Sequence, residues 1–109
     1  MKKSLANIPG VVTSHKVGMK RVLLSANESE CSLKQIAVTE LKAGEVAKGH
    51  VHPDMQEGFY VLSGKLDIVL NGVVEHCQPE DFIYVTCGTT HELIAVTDVR
   101  LMTIGCEVK

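Results

Sequence analysis

Short runs of branched aliphatic residues, broken by turn signals, set the rhythm of this chain. Arg21–Leu24, Leu33–Leu41, Lys65–Leu70, Val73–Gln78, Phe82–Val85, Glu92–Val96 and Arg100–Ile104 are rich in the residues that suit a pleated surface, and each reads as a strand. Leu33–Leu41 also satisfies a helical stripe through Leu33, Ile36, Ala37 and Leu41. Its β-branched Ile36, Val38 and Thr39, and the early stop at Gly44, favour a strand. Ala26–Ser29 and Cys87–Thr90 read as loops. The sharpest local signal is Asn71-Gly72, which supplies the positive φ angles of a two-residue type I′ hairpin. That turn sets Leu70 opposite Val73 and Asp67 opposite His76, the latter pair as a surface contact. Residues 1–15 read as an irregular arm or edge strand, broken at Pro9-Gly10. Roughly eight or more short strands with regular turns predict an all-β sandwich or barrel.

The length of 109 residues fits one domain. Apolar residues make up 45%, but aromatics only 4% and Trp none, so the core must be built from Val, Ile and Leu. A net charge of -2 argues against a polyanion partner, and neither nucleic acid nor membrane is expected. Lys16, Lys20 and Arg21 read as a solvated edge. Lys2 and Lys3 are not followed by an apolar signal segment, and no run reaches membrane-spanning length. Cys31, Cys77, Cys87 and Cys106 include no C-x-x-C pair. They read as free thiols of a reducing, cytoplasmic protein.

Chemistry concentrates between Gly44 and Gly64, GEVAKGHVHPDMQEGFYVLSG. His50 and His52 stand two apart. On a strand they share a face, about 6–7 Å apart at ~3.3 Å per residue, close enough for both imidazoles to reach one ion. Pro53-Asp54 ends that strand, and Glu57 opens the next, an apolar run through Phe59 to Leu62. A carboxylate in that place calls for a partner, and a metal shared with the two histidines is the natural one.

The spacing Gly44, His50, His52, Glu57, Gly64 resembles the first sequence motif of the cupin superfamily. Asp81, Gly88 and His91 in EDFIYVTCGTTH match positions of the second motif. Glu80, Thr86 and Ala95 depart from it, in turn and strand-end positions. The resemblance covers roughly Val38 to Val96. It implies a double-sheet, jelly-roll β-barrel of one domain over 1–109, with 1–24 as an N-terminal arm or edge strands and 36–96 as the barrel core. It assigns His50, His52, Glu57 and His91 as ligands of one divalent ion, Zn, Fe, Mn, Ni or Co.

Residues in phase with the ligands should line a pocket: Phe59 and Val61 with Glu57, Leu93 and Ala95 with His91, and Tyr84 as a further candidate. Arg100, Lys34 and Lys48 are not forced inward, and Cys87 reads as an inert thiol. His15 and His76 match no motif position and read as surface residues. The expected function is binding of, or action on, a small polar molecule, a sugar or carboxylate, at an open metal centre. As an enzyme it would be a metal-dependent isomerase, epimerase or dioxygenase. The alternative is a non-catalytic small-molecule sensor or binding module. The resemblance also implies a homodimer formed through sheet edges or exchanged N-terminal strands.

Overall fold

The computed structural model describes residues 1–49 and 51–108. These form a 3-10 turn at Leu5–Asn7 and ten strands. The strands are β1 Val11–Val12, β2 Met19–Ser25, β3 Leu33–Leu41, β4 Val46–Lys48, β5 Met55–Ser63, β6 Leu66–Leu70, β7 Val73–Cys77, β8 Phe82–Val85, β9 His91–Ala95 and β10 Val99–Glu107. They pair into two antiparallel sheets, one ordered β1-β2-β3-β10-β5-β8 and one ordered β4-β9-β6-β7. The all-β expectation holds, and β3 and β8 run between the residues that composition predicted. β10 is longer than expected, because its nine residues pair with β3 on one side and β5 on the other.

The two sheets face each other across one apolar core. Leu66, Ile68, Leu101, Val61 and Val99 are its largest fully buried side chains. Burying each such side chain contributes about 1.5–3 kcal/mol. Period-two alternation fills the core from both sheets: Phe59 and Val61 from β5, Leu101 from β10, Leu66 and Ile68 from β6, Leu93 and Ala95 from β9. The β6–β7 hairpin has the register that Asn71-Gly72 dictates, with Leu70 opposite Val73 and Asp67 opposite His76. The His76 Nδ1 to Asp67 Oδ1 distance is 2.7 Å on a ring that is largely exposed, so this pair is a surface contact.

The N-terminal arm lies on its own chain. β1 pairs with β2, and the Lys3 ammonium donates to the Leu23 carbonyl and to the Glu28 carboxylate at 2.7–2.8 Å. That hydrogen bond holds the Glu28 carboxyl below its ordinary range. All four cysteines are free. Burial pushes the Cys77 thiol up, with the nearby Asp81 carboxylate adding to it. The outward face of the larger sheet is apolar around Tyr60, Leu62, Phe82 and Tyr84, the last two 56% and 52% exposed. No helix among the described residues is long and apolar enough to cross a membrane.

Two glycines test the turn geometry. Gly64 and Gly72 both have positive φ, +84° and +82°. A Cβ on Gly72 would meet nothing within 4 Å, whereas one on Gly64 would sit 2.0 Å from the Asp98 carbonyl oxygen. Gly72→Ala should therefore cost only the backbone strain, about 1 kcal/mol. Gly64→Ala should cost clearly more, because backbone must also move. Urea denaturation of the two variants checks the order.

Candidate functional site

The site is assembled by strands from opposite sheets. Alternation along β5 sends Glu57 to the same side as Phe59 and Val61, and alternation along β9 does so for His91, Leu93 and Ala95. The outcome is that Glu57 Oε1 lies 3.4 Å from His91 Nε2, with the His91 side chain 5% exposed and that of Glu57 20%. The His91 ring packs beside Phe59, with centroids 6.0 Å apart. Its Nδ1 is buried and has no hydrogen-bond partner among the described residues. Leaving such an atom unpaired costs about 1–3 kcal/mol. Among the described residues, packing beside Phe59 and the approach of Glu57 to Nε2 orient the ring.

Gly49 makes that packing possible. Its N–H donates to the His91 carbonyl at 2.9 Å, and a Cβ there would stand 2.6 Å from His91 Nε2. His52 follows in the connection from β4 to β5, and its ring centroid is 6.5 Å from that of His91. The expected H-x-H strand is not what forms around His52. β4 ends at Lys48 and β5 begins at Met55, so His52 stands in a loop. The loop must carry the chain from the smaller sheet to the larger, and Gly49 and Pro53 favour the break. The His52 carbonyl accepts the Gly88 N–H at 3.0 Å, which ties this loop to the turn before β9. His50 lies outside the described residues. Among the described residues no group of three or more His, Cys, Asp and Glu is gathered closely enough to hold a metal ion by itself.

His52, Glu57 and His91 open into a cavity of about 300 Å³ between the sheets. Phe59 and Leu93 stand on its wall, as does the hydroxyl pair Thr39–Thr103, 3.4 Å apart. Three pocket expectations are corrected. Val61 and Ala95 are sealed in the core beneath the cavity. Tyr84 points out of the barrel, because β8 pairs Val85 with Glu57 and so turns Tyr84 to the outer face, where it donates to Gln56.

Two residues were missed. His15, expected on the surface, reaches the cavity from the turn between β1 and β2, and Lys20, expected at a solvated edge, lines it from β2. Lys34 also lines it, while Arg100 lies near Glu40 at 3.5 Å. The signal for Lys20 was its alternation with Arg21, but only pairing with β3 says which of the two faces in.

A model of the Cupin domain matches residues 37–105. The chain belongs to the cupin domain family. No curated protein sequence matches it. A predicted oxalate decarboxylase from Thermotoga maritima superposes with a TM-score of 0.91 at 19% identity, over 99% of this chain and 100% of that one. Ectoine synthase from P. lautus gives 0.84 at 19% identity, covering 100% of this cupin and 79% of the synthase. A polyketide cyclase from Streptomyces resistomycificus gives 0.83 at 17%, covering 100% and 80%. At these identities the likeness is one of fold. The cupin fold thus accounts for the two sheets and for the facing of β5 and β9.

Gly49→Ala probes the site without touching a polar side chain. The new methyl would collide with both the backbone and the ring of His91. Overpacking of this kind costs about 1–3 kcal/mol. The thermal midpoint should fall accordingly, and the His91 ring resonances should shift in NMR spectra. A variant with unchanged stability would contradict the packing described.

Proposed function

We propose that this cupin holds one divalent ion with His50, His52, Glu57 and His91, and that the ion and the cavity together bind, and act on, a small polar molecule. The observation that carries the reading is the 3.4 Å separation of Glu57 Oε1 and His91 Nε2. Two donors each about 2.1 Å from one ion stand roughly 3.0–3.4 Å apart at bond angles of 90–109°. Three neutral imidazoles and a carboxylate suit Zn, Fe, Mn, Ni or Co.

When bound, such an ion acts as a Lewis acid toward oxygen atoms of the ligand. The chain's own residues do the rest. Phe59 and Leu93 exclude water and strengthen polar contacts inside the cavity. Thr103 donates to the Ala37 carbonyl at 3.3 Å, which leaves its oxygen to accept from Thr39 and fixes that hydroxyl pair as a polar rail on the wall. The four free thiols agree with a reducing, cytoplasmic location.

Protein purified without added metal should carry about one divalent ion per chain by elemental analysis. The Glu57→Ala, His91→Ala double variant should keep its far-UV circular dichroism and lose the ion. Full occupancy in that variant would overturn the ligand set. Oxygen uptake and isomerase assays on the loaded protein then separate an enzyme from a sensor, which would be stabilised by its ligand without turnover.

A homodimer is the second part of the reading, supported by the apolar outer face of the larger sheet. A second copy is the occupant that brings an equally apolar face, at no cost in buried charge. Light scattering should give a dimer for the wild type, and a folded monomer for Phe82→Glu with Tyr84→Glu. A wild-type monomer would rule the pairing out.

A further inference from the structure

We infer that Lys20, steadied by Gln35, makes the cavity a receptor for a small organic carboxylate. The inference rests on the proposed function only in taking the cavity as the binding site. Lys20 comes from β2, opposite Thr39 of β3, and lines the cavity with its ammonium donating to Gln35 Oε1 at 2.9 Å. Both residues are half-buried. An ammonium has three donors, and Gln35 takes one.

Other basic groups around this sheet have carboxylates. Arg21 reaches Glu40 at 3.0 Å, Lys3 reaches Glu28 at 2.7 Å and Lys34 lies 3.9 Å from Glu107. Lys20 has no carboxylate within 4.0 Å among the described residues. A half-buried cation left without a counter-ion at the wall of a cavity favours an anion there, the more so with apolar Leu41 and Phe59 lowering the local dielectric. Gln35 contributes a neutral oxygen, which orients the ammonium without cancelling its charge.

The same features select among anions. Of the two lysines that line the cavity, Lys34 lies 3.9 Å from the Glu107 carboxylate, which leaves the Lys20 ammonium and no arginine fork. That set matches a single carboxylate better than a phosphate, which is more highly charged and calls for bidentate donors. The apolar wall suits the carbon skeleton, and the Thr39–Thr103 pair suits a hydroxyl or carbonyl on it. The ligand is thus a small carboxylate whose carboxyl group meets Lys20 and whose remaining oxygen lies toward His52, Glu57 and His91.

The test uses isothermal titration and thermal shift on full-length protein, both as purified and after chelator treatment. The probes are pyruvate, malonate and benzoate, with malonamide and benzamide as neutral isosteres and inorganic phosphate as the competing anion. At least one carboxylate should bind and its amide should not. Lys20→Met should weaken binding by about tenfold or more, the scale of a charge-assisted hydrogen bond. Lys20→Arg should retain part of it, and Gln35→Leu should weaken it less than Lys20→Met. The ligand-free thermal midpoint and the metal content of Lys20→Met should match the wild type.

Lys20-dependent carboxylate binding in protein that holds no metal would support the inference even if the metal reading fails. Absence of carboxylate binding across the panel overturns it. So does equal binding by the amides, a preference for phosphate, or undiminished carboxylate affinity in a folded Lys20→Met variant.

Discussion

Everything at the site depends on two sheets being pressed face to face by a core with little freedom to slip. Val61, Leu66, Ile68 and Leu101 are fully buried between them. On a strand the side-chain period is two, so a one-residue slip of β5 would turn Val61 and Phe59 out and Tyr60 and Leu62 in. The same slip would carry Glu57 away from His91. The hydrophobic interlock thus holds the register, and the register holds the polar pair.

This arrangement explains how a carboxylate and a histidine come to lie beside an apolar core. Both sit at the end of an inward-facing ladder: Glu57 beyond Phe59 and Val61, His91 beyond Leu93 and Ala95. The ladders close the barrel below and leave a cavity above. Gly49 lets the backbone pass the His91 ring where any side chain would collide. The β1–β2 turn and β2 supply His15 and Lys20 to the same cavity from the larger sheet. The polar groups therefore gather where the apolar ladders run out, which is where a ligand can be both desolvated and held.

Local chemistry predicted the elements well where one strong signal acted alone. Asn71-Gly72 dictated a hairpin and its register, since few other pairs accept two positive φ angles. Leu33–Leu41 was legible as a strand because β-branching outweighed an accidental helical stripe. The inward phase of Phe59 and Leu93 followed from counting in twos from Glu57 and His91. Tyr84 was misplaced because its strand contains no residue of known facing from which to count. His52 was placed on a strand by its spacing, whereas crossing between sheets requires a loop there.

Spacing and residue type along the chain were thus enough for the fold class, the hairpin and the cupin motif, because each of these depends on neighbours within a few positions. The facing of β2 and β8, the depth at which a ladder changes from cavity wall to core, and the approach of Glu57 to His91 depend on pairing between segments far apart in sequence. Those partners are selected by burial of the whole core. That is why Lys20 read as a solvated edge and yet lines the cavity, a placement decided by its register with Thr39 and by nothing in its own surroundings along the chain.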